Sequence, residues 1–188
     1  MNLEAARQTF LEIKCVLDKL GIKFWLNDGT LLGAIREKGF VPWDKDIDLR
    51  IPAEDQGPHV CKEFKKNGFS CRPTILYHHL ISTYVVRKQG IKADIALNHY
   101  YEPEDFNISL SGRPTLENAV HPAKFCRDDY FVSFLGTEVR VPNPPEECLL
   151  WIYGKDWRIP IKDKGYAQGR KRISLDKYIK YFIENGIK

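Results

Sequence analysis

The sequence has no long hydrophobic run, and this excludes one large class of protein. No stretch of its 188 residues approaches the roughly 20 consecutive apolar residues that cross a bilayer. The first 21 residues carry acidic side chains throughout and no continuous apolar core. We therefore expect neither a membrane span nor a signal peptide in this chain.

Cysteine is sparse, and its spacing is irregular. The five residues form no C-x-x-C pair, and they are Cys15, Cys61, Cys71, Cys126 and Cys148. An odd number of widely separated cysteines favours free thiols in a reducing compartment over a disulfide framework. Nothing in the spacing supports a structural zinc site. The cysteines therefore predict a cytoplasmic protein.

Excess charge of one sign is also small. Lysine and arginine number 29 against 25 acidic residues, so the net charge is +4. This balance is compatible with an anionic ligand but too weak to predict nucleic-acid binding. The 43% of hydrophobic and 29% of charged residues are ordinary for a globular protein. We expect a single domain over residues 1–188.

Hydrophobic periodicity and turn residues predict the order of the elements. Residues 100–129 are rich in Pro, Asn and Glu, and this segment is either a functional loop or holds short elements that the pattern does not reveal. The predicted order is that of a mixed α/β or α+β domain with a C-terminal helix over about 174–185. The patterns predict further helices over 3–20, 29–39, 54–67 and 144–153, strands over 22–27, 46–51, 82–87 and 91–97, and a hairpin around Gly136.

Three aspartates alternate in "PWDKDIDLRIP" at 42–52. Residues two apart on a strand point to the same face, so Asp44, Asp46 and Asp48 would line one side while Ile47 and Leu49 pack behind them. Asp44 taken alone is more typical of a solvated loop. Carboxylates this close repel each other unless a cation compensates. Oxygen ligands without nearby His or Cys indicate Mg²⁺ or Mn²⁺.

Asp94 lies in a second acidic strand, "GIKADIALNHY", among apolar neighbours. Beside the first acidic strand it would bring a third carboxylate to the metal site. Such a site suits two-metal phosphoryl or nucleotidyl transfer, in which one carboxylate can take the acceptor's proton. The alternative is that Asp94 forms a salt bridge with Lys92 or with an arginine.

A short "GTLLG" segment at 29–33 precedes the acidic strand. A glycine turn at a helix start presents backbone N–H groups to phosphate, and Gly29 followed by Thr30 suits such a turn. The alternative is an ordinary helix entry in which Gly33 allows close packing. Arg36 and Lys38 could neutralise a diphosphate, although Lys38 is equally consistent with a solvated surface residue.

Two blocks of the sequence resemble one known family. "DGTLLGAIREKGFVPWDKDIDLRI" is similar to the signature of the LicD/fukutin family, and "FLGTEVRVPNPPEECLLWIYGKDWRIP" resembles its second block. The likeness covers about residues 20–160. It implies a nucleotidyltransferase-like mixed sheet flanked by helices. The matching positions are Gly29, Thr30, Gly33 and Arg36 for donor binding, and Asp46, Asp48 and, by context, Asp94 for metal binding and catalysis.

The resemblance also implies a reaction. Family members transfer a phosphorylated alcohol, such as phosphocholine or ribitol phosphate, from a CDP-linked donor to a glycan hydroxyl, so we expect an enzyme that uses Mg²⁺ or Mn²⁺. Lys45 stands where the family usually has an aspartate. It would point away from the metals if strand alternation holds. Many eukaryotic members are Golgi membrane proteins, so a domain cut from such a protein would work in the Golgi lumen.

Two other functions stay open from the sequence. One is a true nucleotidyltransferase that moves NMP from an NTP. The other is a non-catalytic module of the same fold that binds an anionic glycan or a protein, a reading that Lys45 keeps open.

Overall fold

The computed structural model describes residues 1–76, 80–110, 118–162 and 172–186. Its helices are α1 (Leu3–Lys19), α2 (Asp28–Leu32), α3 (Pro58–Lys66), α4 (Pro145–Tyr153) and α5 (Leu175–Asn185). Its strands are β1 (Trp25–Leu26), β2 (Asp46–Pro52), β3 (Ser70–Ile75), β4 (Ile81–Lys88), β5 (Ile91–Tyr101), β6 (Phe106–Ser109), β7 (Asn118–Pro122), β8 (Tyr130–Phe134), β9 (Thr137–Val141) and β10 (Arg172–Ile173).

Eight of these strands form one mixed sheet. Its main path runs β1-β2-β5-β6-β7-β10, and β4 joins β3 to β5. β2 and β5 are parallel, whereas the other pairs are antiparallel. β8 and β9 form a separate hairpin. The mixed sheet with flanking helices and a C-terminal helix confirms the predicted fold class, while the single-domain organisation stays a prediction.

One face of β5 belongs to the main core and the other does not. Ala93, Ile95 and Leu97 are fully buried, in one cluster with Phe10 and Ile13 of α1. Because side chains alternate along a strand, the residues between them point to the opposite face. That second face carries the candidate site.

The segment predicted as a helix over 29–39 divides into two parts. α2 ends at Leu32, and a π-helical turn follows over Gly33–Glu37. A Cβ on Gly33 would collide with the Gly39 carbonyl and lie 3.0 Å from the Val41 nitrogen. The close approach of this backbone explains the glycine, and it agrees with the packing interpretation.

Three parts of the element prediction differ from the structure. β1 covers two residues instead of 22–27, α3 begins at Pro58 after a short 3-10 turn over Ala53–Asp55, and β3 was not predicted. The segment 100–129 contains the end of β5, β6, β7 and a 3-10 turn over Ala123–Cys126. Of the two interpretations of that segment, the short elements are confirmed for 100–110 and 118–129, and residues 111–117 lie outside the described residues. Each is too short to show a clear period.

α5 begins as predicted, because the Ser174 side chain accepts a hydrogen bond from the Lys177 N–H at 3.3 Å. Tyr178 on this helix is 1% exposed and packs in a second, smaller cluster with Tyr101 and Ile108. The 3.6-residue period predicts that Ile183 shares one apolar face with Leu175, Tyr178, Ile179 and Phe182, but Ile183 is 63% exposed. It lies in the last turn of the helix, where residues 183–185 are all exposed.

The cysteine prediction is wrong for two residues. Cys61 of α3 and Cys71 of β3 form a disulfide with their Cα atoms 5.2 Å apart. α3 ends at a turn and the chain reverses into β3, which brings together two cysteines that are ten positions apart. Cys15, Cys126 and Cys148 are free. The prediction of a reducing compartment rested on free thiols, and this disulfide removes that support.

None of the helices in the described ranges is long and apolar enough to cross a membrane.

Candidate active site

The parallel pairing of β2 with β5 brings the predicted acidic residues together. The register places Asp48 opposite Asp94 and Asp46 opposite Lys92. Each of Asp46, Asp48 and Asp94, called here the central trio, offers a carboxylate oxygen within 4.8 Å of the other two. Ile47, between the two aspartates of β2, is fully buried on the opposite face. The predicted alternation of this strand is confirmed.

Lys92 forms ion pairs with two members of the central trio. Its Nζ donates to Asp46 Oδ2 at 2.9 Å and to Asp94 Oδ2 at 2.6 Å. These side chains are 28–31% exposed. The salt bridge between Asp94 and Lys92 is therefore present, as one interpretation of the sequence had it. Asp94 Oδ1, however, is buried and accepts no hydrogen bond from the described residues.

Two further aspartates lie beside the trio. A Cβ on Gly29 would collide with the Asp44 carboxylate and stand 3.3 Å from Asp48 Oδ2, so Asp44 is close to the site. Asp44 lies in the loop before β2, as one interpretation of the sequence had it, but it is half-buried and not fully solvated. Asp28 was missed, although it directly precedes the glycine turn. It has a φ of 36° at the start of α2, and its charge acts on Asp48.

These five residues form an acid cluster with an excess of negative charge. The pKa of Asp48 is raised well above its usual range, first by burial and then by the neighbouring charges of Asp28, Asp46, Asp44 and Asp94. Burial is also the main cause that raises the pKa of Asp44. Two ammonium groups lie here, that of Lys92 and that of Met1 beside Asp44, and they cannot neutralise five carboxylates. The oxygen-only donor set and the unpaired oxygen of Asp94 fit a hard divalent cation.

Gly29 and Thr30 connect α2 to the acidic strand. The Gly29 N–H donates to Asp48 Oδ2 at 3.2 Å, and Thr30 Oγ1 accepts from the Asp48 N–H at 2.9 Å. A side chain at position 29 would displace the Asp44 carboxylate, so the glycine allows this carboxylate to lie at the site. Both residues are therefore at the acid cluster, and their predicted contact with phosphate stays a prediction.

Arg36 joins the two sequence blocks to each other. Its Nη1 donates to the Trp157 carbonyl at 2.9 Å, and its Nε donates to Glu37 Oε1 at 2.6 Å. Trp157 belongs to the second block and Arg36 to the first. The structure thus gives Arg36 a positioning contact, while a contact with the donor diphosphate stays a prediction.

Lys45 lies outside the acid cluster's ligand set. It is exposed, it precedes the first residue of β2, and its backbone N–H donates to Asp44 Oδ1 at 2.9 Å. The departure at this position therefore leaves the central trio intact.

The sheet and its acid cluster define a domain with the nucleotidyltransferase fold. The crystal structure of the lincosamide antibiotic adenylyltransferase LnuA, bound to lincomycin, superposes with a TM-score of 0.53 over 79% of this chain and 87% of that one. The sequence identity is 13%, so the likeness concerns the fold alone.

The family is narrower than the fold. The chain belongs to the LicD/FKTN/FKRP nucleotidyltransferase-domain family, whose model matches residues 21–144. The mouse (Mus musculus) ribitol-5-phosphate transferase FKTN is 30% identical over 149 residues, which are 78% of this chain and 32% of the relative. The lipopolysaccharide cholinephosphotransferase LicD of Haemophilus influenzae is 56% identical over 38 residues, which are 20% of this chain and 14% of the relative.

The family assignment confirms the resemblance seen in the two sequence blocks, and the named relatives are transferases. The chain spans about a third of the length of the fukutin relatives that it matches.

Proposed function

We propose that this chain transfers a phosphorylated alcohol, such as ribitol phosphate or phosphocholine, from a CDP-linked donor to a glycan hydroxyl. The observation that carries the proposal is the central trio, three carboxylates within 4.8 Å on two adjacent strands. The names of the relatives supply the class of group transferred. A binding module would not need to hold so many like charges together at the cost of burial.

In the proposed reaction, the acceptor oxygen attacks the phosphorus that carries the alcohol. A new P–O bond forms to the glycan, the P–O bond to CMP breaks, and CMP leaves with the bond electrons. Asp94 takes the proton of the attacking hydroxyl. Asp46, Asp48 and Asp94 would hold Mg²⁺ or Mn²⁺, which would neutralise the charge of the attacking and leaving oxygens.

The other residues of the site position these groups. Gly29 and Thr30 hold Asp48 through two hydrogen bonds, and their turn would lie against the donor diphosphate. Lys92 pairs with Asp46 and Asp94 and keeps them together before the metal binds. Arg36 fixes the first block on the second through the Trp157 carbonyl.

We also propose that the reaction takes place in an oxidising compartment. A disulfide such as Cys61–Cys71 persists in the secretory pathway and is rare in the cytosol. This observation favours the lumenal location over the cytoplasmic one.

The proposal can be tested by thermal shift with Mg²⁺ or Mn²⁺ and a panel of CDP-ribitol, CDP-choline, CDP-glycerol, CTP and ATP. We expect one CDP-alcohol to raise the melting temperature only with metal, and Asp48→Asn to abolish this response. The matched control is Asp128→Asn, which changes an exposed aspartate outside the acid cluster. Transfer is then followed by the release of CMP.

Other results would favour the other functions. Stabilisation by CTP or ATP alone, with release of pyrophosphate, would indicate a nucleotidyltransferase. No response to metal with any nucleotide would contradict the transferase and favour the non-catalytic module.

A further inference from the structure

The face of the sheet that carries the central trio continues over β4 and β3. Residues that pair across neighbouring strands point to the same face, so the register extends the rows of the trio. One row runs from β3 to β2 through Arg72, Val85, Asp94 and Asp48, and the next runs through Ser70, Arg87, Lys92 and Asp46. Arg72 and Arg87, called here the arginine pair, are therefore the neighbours of the trio on β3 and β4.

The side chains of the arginine pair are open to solvent. The residues that alternate with them on β3 and β4 are at most 2% exposed and pack into the main core, and these are Cys71, Tyr84 and Val86. Arg72 and Arg87 themselves are exposed, and Val85 between Arg72 and Asp94 is partly exposed. A ligand at the trio can therefore extend over β4 and contact both arginines.

Three cationic side chains are neighbours on this face. Arg87 lies directly opposite Lys92, and Arg72 lies diagonal to Arg87. Opposite side chains have Cβ atoms about 5 Å apart, diagonal ones are about 7–8 Å apart, and like charges directly opposite are destabilising. Lys92 is compensated by Asp46 and Asp94, whereas neither arginine forms an ion pair in the part of the chain that the structure describes. An anion bound by the arginine pair would relieve this repulsion.

The arginine pair and the glycine turn lie on opposite sides of the trio. The Asn27 N–H donates to the Asp48 carbonyl at 3.0 Å, so the turn at Gly29 follows β1 along one edge of β2. β5, β4 and β3 follow on the other edge of β2. The arginine pair is therefore a second place for an anion, separate from the turn proposed to face the donor diphosphate.

The chemistry and the spacing both suit a substrate with a second anionic group. A guanidinium is always charged, and its planar set of donors matches the two oxygens of a phosphate or carboxylate. Two strand spacings separate the Cα atoms of Arg72 and Asp94, which is about 10 Å, and the arginine side chain shortens the distance to a bound ligand. One substrate molecule can therefore contact the trio and the arginine pair together.

We propose that Arg72 and Arg87 bind a phosphate or carboxylate group of the substrate whose reacting atom lies at the central trio. The inference rests on the proposed function, because it takes the trio as the reaction centre. The anionic group belongs either to the nucleotide half of the donor or to an acidic sugar of the acceptor. The experiment below distinguishes these two sources.

Labelling of arginine by phenylglyoxal tests the proposal on the unmodified protein. The rate of labelling at Arg72 and Arg87 is followed by mass spectrometry, and Arg7, which is exposed on α1, serves as the internal reference. The measurement is made in EDTA at one ionic strength. No metal ion then holds an anion at the trio, so protection of Arg72 and Arg87 reports binding by the arginine pair itself.

The probes are CMP, glucose 6-phosphate, glucuronate and neutral glucose. We expect at least one of the three anions to slow the labelling of both arginines about fivefold or more in a saturable way, without effect on Arg7 and without protection by glucose. Protection by CMP assigns the anionic group to the donor, and protection by the acidic sugars assigns it to the acceptor. No protection by any anion, or equal slowing at Arg7, would overturn the proposal.

Arg72→Met and Arg87→Met provide the second arm, and Arg7→Met is the matched control because it also removes one exposed arginine. Calorimetric titration of the protecting anion in EDTA measures its Kd. We expect this Kd to rise about tenfold or more in Arg72→Met and in Arg87→Met and to stay unchanged in Arg7→Met. All three positions are exposed, so the variants should keep the melting temperature of the unmodified protein.

An unchanged Kd in Arg72→Met and Arg87→Met would contradict the binding of the anion by these arginines. Because this test contains neither metal nor a transfer step, its failure would leave the metal-dependent reaction standing. Failure of the metal and CDP-alcohol experiment would in turn leave the measured anion site standing, so the two failures are distinguishable.

Discussion

Lys92 occupies the place of a cation between two carboxylates of the central trio. Its ammonium group relieves part of the repulsion between Asp46 and Asp94 in the metal-free protein. A divalent ion bound to the same oxygens would have to displace these ion pairs. At the scale of single residues, the lysine and the metal therefore compete.

We predict that Lys92→Met weakens the metal-free protein and strengthens metal binding. Loss of a partly exposed ion pair costs up to about 1 kcal/mol, which lowers the melting temperature by about 2–4 °C for a chain of this size. The same free energy no longer opposes Mg²⁺, so its Kd should fall about fivefold. Melting temperatures in EDTA and in a Mg²⁺ titration measure both effects.

The control for this prediction is Lys45→Met, which removes an exposed lysine of the same acidic motif. We expect this control to leave the Kd for Mg²⁺ close to that of the unmodified protein. Weaker Mg²⁺ binding in Lys92→Met would show that Lys92 supports the metal site instead of competing with it.

α5 is attached to the sheet through a buried histidine. His99 of β5 is fully buried, its Nε2 lies 3.2 Å from the Ile81 carbonyl, and its Nδ1 lies 2.9 Å from the Tyr178 hydroxyl of α5. The neutral ring satisfies both partners when Nε2–H donates to Ile81 and Nδ1 accepts from Tyr178. Burial lowers the pKa of His99 to about 4.

At the scale of elements, the attachment of α5 should therefore depend on pH. The unfolded histidine titrates at about 6.5 and the folded one at about 4, so the unfolded chain binds more protons between these values. The contribution of neutral His99 to the free energy of unfolding is complete well above pH 6.5. It is lost as the pH falls toward 4. Between pH 6.5 and 5 the loss is about 1.6 kcal/mol.

Urea denaturation at pH 7.5, 6.5, 5.8 and 5.0 measures this dependence as the free energy of unfolding. His99→Gln should reduce the slope, whereas His59→Gln, at an exposed position on α3, should retain it. Equal slopes in the unmodified protein and in His99→Gln would assign the pH dependence to other groups.

The disulfide acts on the stability of the whole molecule. It closes a short loop between α3 and β3, and such a cross-link limits the freedom of the unfolded chain. We predict that reduction, or the double change of Cys61 and Cys71 to serine, lowers the free energy of unfolding by about 2–3 kcal/mol.

Urea denaturation with and without reductant measures the effect of the disulfide. The control is Cys15→Ser, which should respond to reductant like the unmodified protein because Cys15 is free. An identical unfolding free energy with and without reductant would show that the cross-link does not contribute to stability.

The acidic strand and the terminal helices could be predicted from sequence alone. Ile47 and Leu49 alternate with Asp46 and Asp48, and this period of two sets which side chains face the core. The same holds for the 3.6-residue period of α1. These features depend on neighbours within a few residues, so the local amino-acid sequence is enough to predict them.

The remaining features of the site depended on tertiary structure. The register that sets Asp48 opposite Asp94, the ion pair of Lys92 with Asp46 and the proximity of Asp44 to Gly29 join residues that are distant in the chain. No local period encodes such a register, because it follows from how the sheet and helices pack.

By itself, then, the sequence determined the acidic motif, the family and the fold class, because these reside in short patterns of residue type and spacing. Only the tertiary structure decided that Asp28 and Asp44 join the acid cluster, that Lys92 also pairs with Asp46, and that Cys61 pairs with Cys71. The physical reason is that electrostatic and hydrogen-bonding contacts depend on the distance between atoms in space. For residues far apart in the chain, only the folded structure sets that distance.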